Sequence, residues 1–130
     1  MQLTTFTDYS LRAMMFMAQH RDRLCSVKEI AEYYNISRNH LVKVVHRLAQ
    51  FGYVESQKGK GGGIRLAAHA RGLRLGDLVA RLEPHMHLVE CFGPENKCNI
   101  TNTCKLRHVL RGSQQAFIAS LNDYTLADIL

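Results

Sequence analysis

Apolar residues recur every three or four positions along the first 50 residues, which is the spacing of amphipathic helices. A first helix is predicted from about Thr7, a residue able to cap it, to about His20. A second, short helix begins at the S-x-x-E capping box of Ser26 and Glu29. A third follows Ser37 and should end near Gly52. Its apolar side is formed by Leu41, Val44, Val45 and Leu48.

The second and third helices are separated by only three or four residues, which predicts a helix-turn-helix. The opposite side of the third helix carries only hydrogen-bond donors and cations, namely Asn39, Lys43, His46, Arg47 and Gln50. No acidic residue lies between Ser37 and Tyr53, whereas a solvated helix usually mixes Glu with Lys and Arg. This side therefore indicates a DNA contact rather than an ordinary helical hairpin. In this motif the helix N-terminus enters the major groove, so Arg38, Asn39 and His40 should reach base edges, and Ser37 and Lys43 should hold phosphates.

A β-hairpin is predicted next, with strands at Tyr53–Gln57 and Ile64–Ala67. Its tip, Lys58–Gly63, is rich in glycine and lysine, and no nucleotide-binding GxxxxGK[ST] pattern is present. A hairpin directly after a recognition helix is a wing. Its glycines allow close approach to DNA, and its cations, Lys58, Lys60 and Arg65, suit phosphates or a narrow minor groove.

A short helix is predicted up to Pro84, and a longer helix should begin near Cys104. The longer helix carries an apolar stripe made of Leu106, Val109, Leu110, Phe117, Ile118 and Leu121. Packing against its own domain is one explanation. Pairing with the same helix of a second subunit is favoured, because helix-turn-helix proteins are commonly two-fold dimers.

Charge divides the chain into two predicted units. Residues 1–75 hold 12 Lys and Arg against 5 Asp and Glu, whereas residues 76–130 hold 5 against 6. The first unit is therefore expected to be a winged helix-turn-helix that binds a polyanion, although a merely solvated surface would look similar. Neither a membrane span nor a signal peptide is apparent, so a cytoplasmic location is expected. In that reducing compartment, clustered cysteines are more often metal ligands or redox centres than disulfides.

Three cysteines, Cys91, Cys98 and Cys104, lie in one stretch that is rich in glycine and asparagine. Their spacing is longer than the C-x2-4-C of most structural zinc sites, which favours an iron–sulfur cluster. Zinc and free or redox thiols remain open. A fourth ligand could be His108, one helical turn after Cys104, or the distant Asp8, whose simpler role is pairing with the helix dipole. His85 and His87 should point away from Cys91. Cys25, apart from the others, is expected to be a small buried residue.

Several segments together resemble the winged-helix iron–sulfur regulators of the IscR and NsrR type. They are "MQLTTFTDYSLRAM", "ISRNHLVKVVHRL", "GYV", "GKGGGIRLA", "LEP", the three-cysteine stretch and "DYTLADIL". The resemblance implies that the three cysteines bind the cluster. It also implies an NsrR-type fourth ligand, Asp8 from the partner subunit. The IscR-type site instead has a histidine three residues after the last cysteine, where this chain has Arg107, with His108 one position further.

The expected protein is mostly α-helical, with a winged helix-turn-helix over 1–75 and a cluster-binding loop and long dimerisation helix over 76–130. The resemblance implies a dimeric repressor of palindromic operator DNA that senses nitric oxide through a 4Fe-4S or, less favoured, a 2Fe-2S cluster. An IscR-like sensor of iron or cluster supply, an electron-transfer iron–sulfur protein and a zinc-stabilised DNA binder are the alternatives. No catalytic motif is recognisable, so no enzymatic activity is expected.

Overall fold

Helices and one small hairpin make up the computed structural model, which describes residues 1–130. Its α-helices are α1 (Thr5–Gln19), α2 (Val27–Tyr34), α3 (Arg38–Gln50), α4 (Leu75–Leu82) and α5 (Lys105–Leu121). Strands β1 (Val54–Gln57) and β2 (Gly63–Leu66) form the hairpin, and short 3-10 turns lie at Ala68–Gly72, Glu90–Phe92 and Leu126–Ile129. The predicted fold class, mostly α with a small hairpin, is confirmed.

The start of α1 differs from the prediction. The capping residue is Thr4 and not Thr7, because the Thr4 hydroxyl accepts a hydrogen bond from the Thr7 backbone N–H at 3.2 Å. Thr7 lies inside the helix and is fully buried. The Thr4 backbone N–H also donates to Glu83 Oε1 at 2.7 Å, which ties the start of α1 to the end of α4. This long-range contact fixes the boundary and has no local signature in the sequence.

The caps predicted for the helix-turn-helix are confirmed. Ser26 and Glu29 form a complete capping box, and Ser37 caps α3 by accepting from the His40 N–H at 3.4 Å. The turn between α2 and α3 spans three residues and contains Asn35, which adopts a left-handed conformation at φ 54°. Asparagine tolerates this conformation better than most residues, so α2 can end abruptly and α3 can leave at an angle.

The wing consists of β1, β2 and the tip at residues 58–62. Its strands pair antiparallel from Val54 opposite Leu66 to Gln57 opposite Gly63. Cys25 exchanges two backbone hydrogen bonds of 2.8 Å with Ile64, so the segment before α2 lies along β2. This approach requires a glycine at position 63, because a Cβ there would lie 2.5 Å from the Cys25 carbonyl oxygen. The wing is thereby anchored to the helical part.

Helices α4 and α5 are in direct contact. A Cβ on Gly76 would lie 2.3 Å from the Ile118 carbonyl oxygen, so the absence of a side chain allows the two backbones to meet. The Asn122 side chain accepts from the Asp77 N–H and donates to the Asp77 carboxylate, both at 2.9 Å. The start of α4 and the end of α5 are therefore held together, while residues 83–104 connect the opposite ends of these two helices.

One buried cluster runs through both predicted units. It includes Met14 and Met17 of α1, Leu41 and Leu48 of α3, Leu78 and Leu82 of α4, and Leu126 near the C-terminus. The division at residue 75 therefore stays a prediction about charge and role, because the core itself is continuous across it. Helix α5 contributes no fully buried residue, and Leu106, Val109 and Phe117 remain 61%, 63% and 41% exposed.

Two glycines in helices give a matched test of the α4–α5 contact. Gly76→Ala should destabilise the fold by about 1–3 kcal/mol, because its methyl group would force the two helices apart. Gly112 of α5 faces open space, so Gly112→Ala should stabilise the fold by about 0.5–1 kcal/mol through lower chain entropy in the unfolded state. Urea unfolding of both variants measures these changes. Unchanged stability in Gly76→Ala would contradict the close approach of α4 and α5 at Gly76.

Candidate DNA-reading face and cysteine loop

The N-terminal end of α3 is open to solvent on one side. The side chains of Arg38, Asn39 and Lys43 are exposed, whereas those of Leu41 and Val44 are fully buried on the opposite side. None of the ion pairs in the structure involves a residue of α3. Its cations are therefore free to meet an anionic partner. We refer to Asn39, Lys43, His46 and Gln50, with the preceding Arg38, as the reading face.

His40 and Ser37 are less free than the reading face. The His40 ring is half-buried and meets the Tyr9 ring of α1 edge to face, with centroids 5.0 Å apart. The Ser37 hydroxyl accepts the capping hydrogen bond, which leaves its O–H available to donate to a phosphate. Tyr9 and His40 are 31 positions apart in the sequence, and their contact could not be predicted from the pattern of apolar and polar residues.

The wing exposes all three of its predicted cations, Lys58, Lys60 and Arg65, and none of them forms an ion pair. Gly59 and Gly61 adopt φ values of 91° and 76°, which side chains rarely allow. The tip therefore has the small cross-section and positive charge that contact with a DNA groove requires.

Residues 91–104, here called the cysteine loop, have little regular structure. Cys91 lies in the 3-10 turn at Glu90–Phe92, Cys98 is exposed, and Cys104 caps α5 by accepting from the Arg107 N–H at 3.4 Å. The loop is held by its own polar side chains: Asn96 donates to Thr101 at 2.8 Å and accepts from the Cys98 N–H at 2.9 Å. No cysteine in the chain forms a disulfide.

The structure does not bring the three loop cysteines into one ligand group. No group of three or more His, Cys, Asp or Glu side chains lies close enough to hold a metal ion. The donor chemistry nevertheless fits an iron–sulfur cluster, since three free thiols can supply thiolates. The Nε of Arg107, beside Cys104, is buried without a hydrogen-bond partner, so an anionic group in the loop would satisfy it.

The histidines near the loop differ in placement. His85 and His87 stack with centroids 4.4 Å apart, and a Cβ on Gly93 would lie 3.1 Å from His87 Nδ1. His87 thus packs against Gly93 of the cysteine loop, and the orientation of His85 and His87 relative to Cys91 stays a prediction. His108 is exposed on α5.

Cys25 is 2% exposed, as the sequence predicted for a small buried residue. Burial raises the pKa of its thiol, which keeps it protonated and a poor ligand.

Asp8 is engaged within its own helix. Its two carboxylate oxygens accept from Arg12 Nε and Nη2 at 2.9 and 2.8 Å, and this hydrogen bonding raises the pKa of the Arg12 guanidinium. The Arg12 guanidinium also lies 5.6 Å from the ring centre of Tyr9 and 6.0 Å from that of Tyr34. Sequence analysis overlooked Arg12, although its spacing of four residues from Asp8 is the usual one for a helical ion pair.

Comparisons with known proteins identify the family of the chain and relatives of similar sequence. The sequence model of the Rrf2 family, described as an iron-dependent transcriptional regulator, matches residues 3–130. A relative from Bacillus subtilis (strain 168), the HTH-type transcriptional regulator NsrR, is 46% identical over 132 residues, which cover all of this chain and 90% of that protein. No helix of the chain has the length and apolar character needed to span a membrane.

Solved structures show the same fold. T. potens IscR superposes with a TM-score of 0.78 and is 26% identical, covering 99% of this chain and 85% of that one. The oxidized form of Staphylococcus aureus CymR gives a TM-score of 0.76 at 25% identity, covering 99% of this chain and 95% of that one.

The ligand assignment can be tested by substitution. Ala at any of Cys91, Cys98 or Cys104 should abolish cluster assembly, because each removes one of the few soft ligands that the loop offers. Cys25→Ala, the matched control, should leave assembly intact. Iron, sulfide and zinc analysis after anaerobic reconstitution, with the visible spectrum, measures the outcome. A cluster retained without Cys98, or a colourless protein that contains zinc, would refute the assignment.

Proposed function

The chain belongs to the Rrf2 family of iron-dependent transcriptional regulators, and on that premise we propose that it is an NsrR-type repressor that senses nitric oxide. It binds palindromic operator DNA as a homodimer and loses affinity when nitric oxide attacks its iron–sulfur cluster. The observation that carries the DNA-binding part is the reading face, whose cations lack any acidic partner, next to a wing that exposes three more cations. In the helix-turn-helix geometry, Arg38 and Asn39 reach base edges, as does His40 from its partly buried position, while Ser37, Lys43, Lys58, Lys60 and Arg65 hold the backbone.

The apolar stripe of α5 supports the homodimer. Leu106, Val109 and Phe117 are large apolar side chains on an exposed helix, and a second copy of α5 is the simplest surface able to cover them. A two-fold dimer places two α3 helices on half-sites about one DNA turn, roughly 34 Å, apart. This arrangement accounts for a palindromic operator.

The cluster is bound by Cys91, Cys98 and Cys104, with Asp8 of the partner subunit as the fourth ligand. When present, it supplies iron atoms that react with nitric oxide. A carboxylate is a harder and weaker ligand for this group than a thiolate, so the bond to Asp8 is the one that opens most readily. The 4Fe-4S form is favoured over the 2Fe-2S form.

Helix α1 connects the fourth ligand to the reading face. Asp8 stands in its first turn, and the adjacent Tyr9 contacts His40 of α3. If a cluster were bound, Asp8 would hold it in place of its own partner Arg12, and without that bond Asp8 would pair with Arg12 as the structure shows. Loss or return of the Asp8 carboxylate would change the net charge beside Arg12, whose guanidinium lies 5.6 Å from the Tyr9 ring centre. This change would alter the packing of Tyr9 against His40 of α3.

The alternatives give different outcomes. A sensor of iron or cluster supply would respond to cluster loss in iron-limited medium and not to nitric oxide. An electron-transfer protein has no need of an uncompensated cationic helix, and it would show a reversible reduction potential without sequence-specific DNA binding.

DNA reading is tested at Arg38. Arg38→Ala should weaken operator binding by about 1–3 kcal/mol and relax the preference at one base pair, because a guanidinium reads guanine through two hydrogen bonds. Arg38→Lys keeps the charge and should lose the same base preference with a smaller loss of affinity. Selection from a random duplex library, followed by sequencing, measures both. An unchanged base preference in both variants would show that the start of α3 does not lie in the major groove as proposed.

The wing is tested at Lys60. Lys60→Ala should weaken binding to every sequence about equally and lower the slope of log K against log salt by about 0.9, because one phosphate contact is lost. Anisotropy titrations at several salt concentrations give this slope. A loss confined to one sequence would instead make Lys60 a base contact.

The fourth ligand is tested with Asp8→Ala. The variant should still assemble a cluster on three thiolates, with an altered spectrum, and its loss of DNA affinity on nitric oxide addition should shrink from a typical coupling of about 1–3 kcal/mol toward zero. His108→Ala should behave like the wild type. The reverse pattern, an unaffected Asp8→Ala and an impaired His108→Ala, would assign the fourth ligand to His108.

A further inference from the structure

The end of α3 carries two arginines on one aromatic ring. The guanidinium carbons of Arg47 and Arg81 lie 4.9 and 5.0 Å from the centroid of the Phe51 ring. Arg47 precedes Phe51 by one helical turn in α3, whereas Arg81 comes from the last turn of α4. The Phe51 ring itself is half-buried and is braced by the Tyr53 ring at 5.7 Å. The fold therefore places two cations from different helices at a fixed aromatic support.

The charge of this pair is not neutralised within the chain. Neither arginine takes part in an ion pair, and the one side-chain hydrogen bond here runs from Arg47 Nη1 to the neutral Gln50 Oε1 at 3.2 Å. Asp77, one turn before Arg81 on α4, is occupied by Asn122. The aromatic ring attracts each guanidinium but leaves both positive charges in place. Because each guanidinium carbon lies within about 5 Å of the same ring centre, the two charges are at most about 10 Å apart, a separation that one or two neighbouring anionic groups can bridge.

The position of the pair indicates which anion. At about 100° per residue, Arg47 lies roughly 85° around α3 from the centre of the reading face, on the side from which α4 approaches. Bases line the floor of the major groove and phosphates line its edges. A cation at the flank of a helix in the groove therefore meets the backbone, and a second cation held on the same ring meets the same stretch of backbone.

We propose that Arg47 and Arg81, supported by Phe51, form a clamp for one or two backbone phosphates of the operator, beside the groove that α3 enters. Arg81 lies outside the helix-turn-helix and the wing, so the clamp extends DNA contact to α4. Because α4 is fixed to α5, and Cys104 of the cysteine loop caps α5, the clamp also links that loop to the DNA backbone through α4 and α5. This inference rests on the proposed function as a DNA-binding regulator.

The clamp is tested with Arg47→Gln, Arg81→Gln and the double variant. Each single variant should lower the salt slope by about 0.9 and weaken binding about eightfold at about 0.1 M salt and about threefold at about 0.3 M salt, because one phosphate contact is lost. The probe is a fluorescein-labelled duplex of mixed sequence and about 30 base pairs, long enough for two half-sites. Arg81→Lys keeps the charge and should preserve the slope. Arg21→Gln, which removes an exposed arginine in the turn after α1, is the matched charge control and should leave the slope unchanged.

Three results would overturn the clamp. An unchanged slope in Arg81→Gln, with the expected loss in Lys60→Ala, would refute it while leaving the proposed DNA binding intact. No effect in Arg81→Gln, Lys60→Ala or Arg38→Ala would instead refute the DNA-binding function itself. Saturable calorimetric binding of inorganic phosphate, abolished by Arg81→Gln while DNA binding is unaffected, would assign the clamp to a free phosphate compound. Thermal unfolding of each variant confirms that the fold is retained.

Discussion

The burial of α1 is the constraint on which the rest of the structure depends. Ala13, Met14 and Met17 are almost completely excluded from water, and through them α1 packs against α3, β2 and α4. Burial of a side chain such as Met14 contributes about 1.5–3 kcal/mol, so a shift of α1 along its axis would cost several such contacts at once. The helix is therefore rigid in its middle. Its N-terminal half differs, because Asp8 and Arg12 are partly exposed there, and Tyr9 reaches the recognition helix. A single helix thus carries Asp8, the proposed fourth ligand, near one end and supports the reading face along its side.

A second fixed contact, between α4 and α5, frames the cysteine loop. Gly76 allows the two backbones to meet, and Asn122 is bonded to Asp77 in both directions. Arg74 adds a hydrogen bond to the Asn122 carbonyl oxygen at 2.8 Å. The loop between the helices has no comparable core, since its cysteines are exposed or half-buried and its own hydrogen bonds are local. In the proposed cluster-bound state, the loop can therefore rearrange around its ligand without unfolding helices α4 and α5. Strain arising there reaches α5 first, because Cys104 is the capping residue of that helix.

Much of the fold could be predicted from local pattern alone. The helical spacing of Leu41, Val44 and Leu48, the capping box at Ser26 and the glycines of the wing are each decided by residues close in sequence, and the structure confirms them. The start of α1 was misplaced because three threonines near the N-terminus can all cap a helix, and the choice depends on Glu83, which is 79 positions away. The same limit applies to the site. Cysteine spacing indicates a cluster. The contacts of Arg81 with Phe51 and of Tyr9 with His40 result from tertiary packing, so they produce no recognisable pattern in the sequence. The ion pair of Asp8 and Arg12 could have been anticipated from its spacing.

The free energies of the individual contacts limit how the proposed signal can pass from Asp8 to the reading face. The pair of Asp8 and Arg12 has side chains 45% and 42% exposed, and such pairs are worth only about 0–1 kcal/mol. The weakness of the pair suits a carboxylate that must leave an internal partner to bind iron, since little is lost when the pair opens. It also means that the pair alone cannot supply a coupling of about 1–3 kcal/mol. The edge-to-face contact of Tyr9 with His40 adds about 0.5–1.5 kcal/mol, and the two together reach the required range. The proposed coupling then depends on the N-terminal turns of α1 shifting Asp8 and Tyr9 together, while the buried Met14 and Met17 hold the middle of the helix in place.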